Sequence, residues 1–392
     1  MDKYNHFETN AIRKQVKRTD QKEHSVPIFA TSSFIFDSAE HAQAVFADQQ
    51  EGNVYSRYSN PNNDEFIEKL CLLEGTEDGV STASGMAAVF LSFLSFLRAG
   101  DHVISSRSIF GSSHQILTQV LPRFGISHSY VDANDPESWE EAVMPHTKML
   151  FIETPSNPGL DIIDLEQAGK FAQKHDLYYV VDNCFATPYL QNPVKYGADI
   201  VLHSATKFID GQGRTIGGAV LGYNRFLKDV RSMAKQTGPC MSPFNGWILS
   251  KSLETLAVRM DKHCENAHAL AEFFQKHSEI EWVKYPFLKS HENHELALKQ
   301  MKYGGALVTF QLNGGKERAM KFLNNIKMLS LTSNLGDTRT TITNPATTTH
   351  SKLTPEEREE VGITDGLIRI SVGLEHIEDI ISAVEKAIKA SA

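Results

Sequence analysis

The sequence predicts an α/β protein in which a mostly parallel sheet carries helices on both faces and is followed by a smaller C-terminal α+β domain. Three observations carry this reading. From about residue 62 to 240, apolar strand-like runs alternate with helical stretches. At 392 residues the chain exceeds the size that one hydrophobic core usually serves, which implies two domains. Beyond Pro243 the pattern changes to a long amphipathic helix and then to alternating strands among helices. The expected boundaries are an arm over 1–61, an α/β domain over 62–245 and an α+β domain over 246–392.

In chain order, the arm is polar and irregular, with a helical stretch near Glu8–Arg18 and an extended Val26–Ser32 segment. It lacks a core of its own, so it reads as a segment that packs on a neighbouring subunit. Strands are expected at His102–Ser105, Met149–Glu153, Tyr178–Asp182, Ile200–His203 and Ile216–Leu221. A single connecting helix is expected from Pro243 toward Leu270, then strands at Gly305–Leu312, Leu329–Thr332 and Leu367–Val372.

Composition narrows the function. The net charge of -9 argues against nucleic acid, whose phosphates need a basic face. Met1–Glu8 has no signal-peptide core, and Met86–Leu97 is too short and too broken by serines to span a bilayer. The expectation is a cytoplasmic protein with no membrane association. Cys71, Cys184, Cys240 and Cys264 are scattered, with no CxxC pair and no histidines at metal-ligand spacing, so neither a disulfide framework nor a metal site is expected. Cys184 reads as a buried, inert thiol.

The chemistry concentrates in Asp199–Arg214, where Lys207 stands just past an apolar strand, with the hydroxyls of Thr206 and Ser204 nearby. A poorly solvated amine has a lowered pKa and is nucleophilic, and the hydroxyls suit an anion beside it. Upstream, the apolar run Leu177–Asn183 delivers Asp182 to the edge where open α/β sheets bind ligands. An amine for an aldehyde and an acid to keep a pyridine nitrogen protonated are what pyridoxal phosphate requires. Ser84-Gly85-Met86 opens a helix whose free amides suit phosphate. Each feature alone also fits a plain structural role: Asp182 as a cap, Ser84 as an ordinary N-cap, Arg369 and Arg57 as solvated charges, Tyr55 as packing.

Taken together and in this order, the Ser84 turn, Asp182-Asn183, Thr154-Pro-Ser-Asn-Pro158, Ser204-Ala-Thr-Lys207 and Tyr55-Ser-Arg57 resemble the cysteine/methionine-metabolism group of fold-type-I pyridoxal-phosphate enzymes. The likeness runs from Phe7–Arg13 through Ile368–Glu375. It implies a fold-type-I transferase with a mostly parallel, seven-stranded-type sheet. Asp210–Gly218, Arg107–Ser113, Asn334–Thr340 and Asn344–His350 are most similar to the O-succinylhomoserine sulfhydrylases within that group.

The resemblance implies roles residue by residue. Lys207 forms the Schiff base with pyridoxal phosphate and shuttles protons. Asp182 pairs with the pyridinium nitrogen, Asn157 bonds the ring's phenolic oxygen, and Phe110 stacks on the ring. Ser84, Gly85, Met86, Ser204 and Thr206 hold the phosphate, with Tyr55 and Arg57 reaching it from the adjacent subunit of a homotetramer built from dimers. Arg369 forks the substrate α-carboxylate, a planar task that lysine does poorly, and Asn334 and Tyr55 also contact substrate.

Several positions depart from the group. Phe110 replaces the usual tyrosine, Ser112 stands where methionine γ-lyases carry cysteine, Asn62 where threonine is usual, and Asn334 where many members have serine. The implied reaction converts an O-acylhomoserine, succinyl favoured over acetyl, and sulfide to homocysteine and the free acid in methionine biosynthesis. The alternatives are cystathionine γ-synthase and cystathionine or methionine γ-lyase. A non-catalytic binding protein of the same fold is the reading from a different class. A dinucleotide enzyme is disfavoured, because no GxGxxG follows the first apolar strand.

Overall fold

In the computed structural model, residues 4–47, 49–133 and 135–392 are described. Residues 1–3 and 48 of the expected arm therefore lie outside the described residues. Seven strands form the first sheet: β1 (Asp78–Thr82), β2 (His102–Ser106), β3 (Ser127–Val131), β4 (Thr147–Glu153), β5 (Tyr178–Asp182), β6 (Ile200–Ser204) and β7 (Gly218–Gly222). Their order is β1-β7-β6-β5-β4-β2-β3. Neighbours are parallel from β6 through β3, while β7 runs antiparallel to both β1 and β6.

The period-two alternation of a strand explains how one apolar run feeds two cores. On β4, Met149 and Phe151 join the core that holds Phe93 of the helix Gly85–Phe96, while Leu150 and Ile152 join the core that holds Ala168 of the helix Leu165–Lys174. The expected strands are all present. In this sheet two edge strands were not anticipated, as β8 (Ile280–Lys284) and β11 (Thr341–Thr343) of the second sheet were not: β1 (Asp-Gly-Val-Ser-Thr) and β3 (Ser-His-Ser-Tyr-Val) carry too few apolar side chains to register in the sequence pattern.

The second sheet contains β8 (Ile280–Lys284), β9 (Leu307–Leu312), β10 (Ser330–Leu331), β11 (Thr341–Thr343) and β12 (Leu367–Ser371), in the order β10-β11-β12-β9-β8. All its pairs are antiparallel except β10 with β11. Phe310 of β9, Ile368 and Ile370 of β12 and Phe322 of the helix Gly315–Asn325 are fully buried in its core.

Two expectations about helices require correction. The N-terminal helix spans Phe7–Arg13 and stops short of Arg18, because the chain turns extended at Lys14 and Val16 N donates to Glu65 Oε2 at 3.0 Å. The long connector is two helices, Pro243–Leu253 and Leu256–Lys276. Buried Arg259 accounts for the break: its Nη2 takes the Ser252 carbonyl at 3.0 Å. Its two terminal nitrogens also donate to the carbonyls of Phe208 (2.6 Å) and Ile209 (3.1 Å), just after Lys207.

The ends of β5 and β6 are locked from below by one acid. Glu74, 1% exposed, accepts from His203 Nε2 at 2.9 Å and from Asn183 Nδ2 at 3.2 and 3.3 Å. Removing that carboxylate leaves His203 Nε2 buried without a partner and Asn183 Nδ2 with only the Gln191 carbonyl, at 3.0 Å. Glu74→Ala is expected to destabilise the fold by about 3 kcal/mol, read as a lower midpoint of chemical denaturation. An unchanged midpoint would show that His203 finds another partner and that the Gln191 carbonyl suffices for Asn183.

Candidate active site

The carboxyl edge of the first sheet gathers the chemistry. Lys207 leaves β6 through a turn in which its N–H donates to the Ser204 carbonyl at 3.2 Å. Its Nζ donates to Asn334 Oδ1 at 2.7 Å. Burial draws the Lys207 amine below the ordinary lysine range; Cys184 opposes this and the nearby Arg369 charge adds to it. Gly336 makes room for this lysine. At φ +79° it adopts a backbone that favours glycine, and a Cβ there would lie 2.6 Å from Phe208 N and 3.1 Å from Lys207 Cα.

Asp182 ends β5, and its register partner on β4 is Glu153. Burial pushes the Asp182 carboxyl up, offset by its bond from Cys184 N (3.0 Å) and by His203. Asp182 thus combines a local cap with a position on the sheet edge. Glu153, 4% exposed, is raised still more plainly by burial and then by the Asp182 charge. It accepts from the backbone N–H of Phe110 at 2.8 Å. Cys184 is buried, and burial raises its thiol out of reactive range.

An anion cradle adjoins the lysine. Ser84 caps the helix Gly85–Phe96 by accepting from Ala87 N at 3.1 Å, and the first-turn amides of Gly85 and Met86 lie beyond the helix's own ladder. Ser204 packs so close that a Cβ on Gly85 would lie 2.5 Å from Ser204 Cβ and 2.7 Å from its Oγ. Thr206 Oγ1 is held by Gly217, at 3.2 Å to the amide and 3.3 Å to the carbonyl. Two amides and two hydroxyls at one helix N-terminus form a donor set of phosphate chemistry.

Arg369 rises from β12, flanked by Thr309 of β9 and Thr343 of β11. It is 2% exposed, which corrects its reading as a solvated surface charge. Nη1 donates to Asn157 Oδ1 at 2.8 Å and Nη2 to the Ser333 carbonyl at 3.1 Å, while buried Nε has no partner. Burial pulls the guanidinium down to about 10. Among the described residues no carboxylate of this chain pairs with it, its hydrogen-bond partners being a side-chain amide and a carbonyl, so a buried cation is left to be matched by an incoming anion.

One chain does not bring every expected residue together. Tyr55, 42% exposed, and Arg57 remain on the arm. The Arg57 guanidinium lies 4.7 Å from the Tyr58 ring centroid and 5.6 Å from that of Tyr55, and it bonds the Lys235 carbonyl. Phe110 precedes the short helix Gly111–Gln115, and Ser112 is exposed. Asn62 is buried and holds the arm itself, exchanging bonds with Phe29 N and the Pro27 carbonyl at 2.8 Å each. Sequence reasoning missed Glu153 and the close fit of Gly336. Glu153 had a legible signal, since it ends an apolar strand as Asp182 does.

The family model for Cys/Met metabolism PLP-dependent enzymes matches residues 8–389. An O-succinylhomoserine sulfhydrylase of Pseudomonas aeruginosa is 46% identical, over 95% of this chain and 93% of its own. An L-methionine gamma-lyase of Fusobacterium nucleatum subsp. polymorphum is 43% identical, over 93% of each chain. A putative O-acetylhomoserine (thiol)-lyase from Campylobacter jejuni, solved with N'-pyridoxyl-lysine-5'-monophosphate, superposes with a TM-score of 0.95 at 33% identity, covering 98% of this chain and 99% of that one.

The residues present suit pyridoxal phosphate: a desolvated amine at Lys207, a carboxyl at Asp182, and a cradle at Gly85 that a Cβ would fill. With the family match spanning nearly the whole chain, this protein belongs to the Cys/Met metabolism PLP-dependent enzymes and uses pyridoxal phosphate as its cofactor.

Proposed function

We propose that this enzyme replaces the γ-acyloxy group of an O-acylhomoserine, succinyl favoured, with sulfide, giving homocysteine and the free acid for methionine biosynthesis. The observation that carries the reaction class is the buried, carboxylate-free Arg369 facing the same corner as the desolvated Lys207. The 46% identity to an O-succinylhomoserine sulfhydrylase supports the choice of ester and thiol.

In this reading Arg369 takes the substrate α-carboxylate, with Asn157 and the Ser333 carbonyl fixing the plane of its fork. Lys207 Nζ tethers the cofactor and moves the proton of the substrate's Cα, and Asn334 lies within reach of both amine and substrate. Asp182 faces the pyridine nitrogen. Ser84, Gly85, Met86, Ser204 and Thr206 hold the phosphate, and Asn157 also reaches the ring oxygen. Pyridoxal phosphate supplies the electron sink for charge developing at Cα.

Phe110 can stack on the ring but has no hydroxyl to exchange protons. Sulfide ionises near neutral pH without a dedicated base, so a sulfide-using enzyme tolerates that loss. Phe110 together with Ser112 weighs against the γ-lyase reading that the Fusobacterium relative suggests.

The arm over 1–61 exposes Ile35 (97%), Phe46 (65%) and Tyr55 (42%), apolar surface that a second copy would cover. We assign Tyr55 and Arg57 to the neighbouring subunit's phosphate site, in a homotetramer of dimers located in the cytoplasm. In the same reading, residues 62–245 form the cofactor domain and 246–392 the domain that closes on substrate. No helix among the described residues is long and apolar enough to cross a membrane.

A steady-state comparison of succinyl and acetyl esters, each with sulfide and with cysteine, tests the reaction. O-Succinylhomoserine with sulfide is expected to give the highest kcat/KM for homocysteine, and omission of the ester to abolish product. Turnover of cystathionine or methionine alone would move the assignment to a γ-lyase. Borohydride reduction followed by peptide mapping is expected to fix the cofactor on Lys207, and a tag on any other lysine would overturn that role. Arg369→Lys should lower kcat/KM for the ester about tenfold to hundredfold, the loss of a charge-assisted bond worth about 1.5–3 kcal/mol.

A further inference from the structure

Two carboxyl groups, not one, stand at the carboxyl end of the sheet. Glu153 closes β4 in register with Asp182 on β5, and both approach the corner occupied by Cys184, His203 and Lys207. Their partners differ. Asp182 accepts from Cys184 N at 3.0 Å and has His203 near it, whereas Glu153 accepts only a backbone N–H, that of Phe110 at 2.8 Å, and no cation pairs with it among the described residues.

Two like charges on adjacent strand ends in a dry site do not both persist. The one with the poorer partners gives up its charge. Burial and the neighbouring Asp182 both raise the Glu153 carboxyl, in line with that geometry.

We propose that Glu153 is a positioning residue: an uncharged carboxyl that anchors the Phe110 backbone beside the ring site and leaves Asp182 the sole anion available to the pyridine nitrogen. The proposal rests on the assignment of Asp182 and Phe110 to the cofactor, not on which ester or thiol reacts. An ionised Glu153 would add a second negative charge beside the ring and compete with Asp182 for its proton. An uncharged one fixes the backbone of Phe110 without that competition. Its uncharged form and its bond from the Phe110 N–H are what make an acid tolerable in a position that is 4% exposed.

The test uses holoenzyme variants and reads the bound cofactor, so its outcome is independent of substrate identity. Glu153→Gln keeps the acceptor and the neutral state; Glu153→Met keeps the volume and removes the acceptor. In Glu153→Gln the visible circular dichroism of the bound cofactor is expected to match wild type. The pH midpoint of its absorbance should stay within about half a unit, and the cofactor dissociation constant within about threefold. Glu153→Met should lose the dichroism and bind cofactor about tenfold more weakly, the equivalent of one charge-free hydrogen bond. A midpoint displaced by about one unit or more in Glu153→Gln would show that Glu153 works as an anion and overturn the proposal. Wild-type dichroism and affinity in Glu153→Met would overturn it equally, by showing that the bond to Phe110 positions nothing. If Glu153→Met does not fold, the absorbance titration of Glu153→Gln alone decides whether Glu153 carries charge.

Discussion

The removal of water from one amine is the constraint on which this structure depends. Lys207 is useful only if its ammonium form is disfavoured, and that demands surroundings in which no acid sits close enough to pin the proton. The chain meets the demand by spacing its charges. Asp182 and Glu153 occupy the ends of β5 and β4, Arg369 rises from the second sheet, and the nearest hydrogen-bond partner of the lysine is the neutral amide of Asn334. Burial then acts on each group in the direction its chemistry requires, down for Lys207 and Arg369 and up for the two carboxyls.

Holding such a corner dry has structural costs that are met nearby. Glu74 satisfies the polar ends of β5 and β6 through Asn183 and His203, and Arg259 satisfies the carbonyls just beyond Lys207. Neither touches the reacting atoms, yet each fixes the backbone from which a functional side chain projects. The helix break at residues 254–255 belongs to the same economy, since the guanidinium that takes the Ser252 carbonyl also ties the C-terminal half to the lysine loop.

Much of this was legible in the sequence where hydrophobicity does the organising. The interior strands β2, β4, β5 and β6 are apolar runs, and the residues that end them include the functional acids and hydroxyls. Edge strands β1 and β3 were not legible, because their pairing depends on a neighbour rather than on their own composition. The site divides in a similar way. Lys207 and Asp182 declare themselves by position after apolar strands, but the role of Glu153 depends on which strand lies beside β5, a fact of topology. Arg369 is an ordinary arginine in a strand until the fold buries it without a carboxylate. Tyr55 and Arg57 were legible only through likeness to a family, and a single chain leaves them apart from the lysine.

The same scaffold serves sulfhydrylases and lyases at similar identity, so the fold cannot choose the reaction. In the proposed function that choice falls to a few side chains: a ring without a phenol at Phe110, a hydroxyl rather than a thiol at Ser112, and an amide at Asn334.

Gly336 gives the two sheets a common mechanical fate. Its N–H is held by Ser371 Oγ at 2.9 Å, two residues beyond Arg369 on β12, while its Cα side abuts the backbone of Lys207 and Phe208. Thr338 continues the seam by donating to the Gly211 carbonyl at 2.9 Å. In the proposed function, a carboxylate held by Arg369 would bear on a strand that is joined to the lysine's own loop. The path from one end of the substrate to the amine at the other would then be short, running from the Arg369 strand through the Ser371 hydroxyl and the Gly336 backbone to the lysine loop.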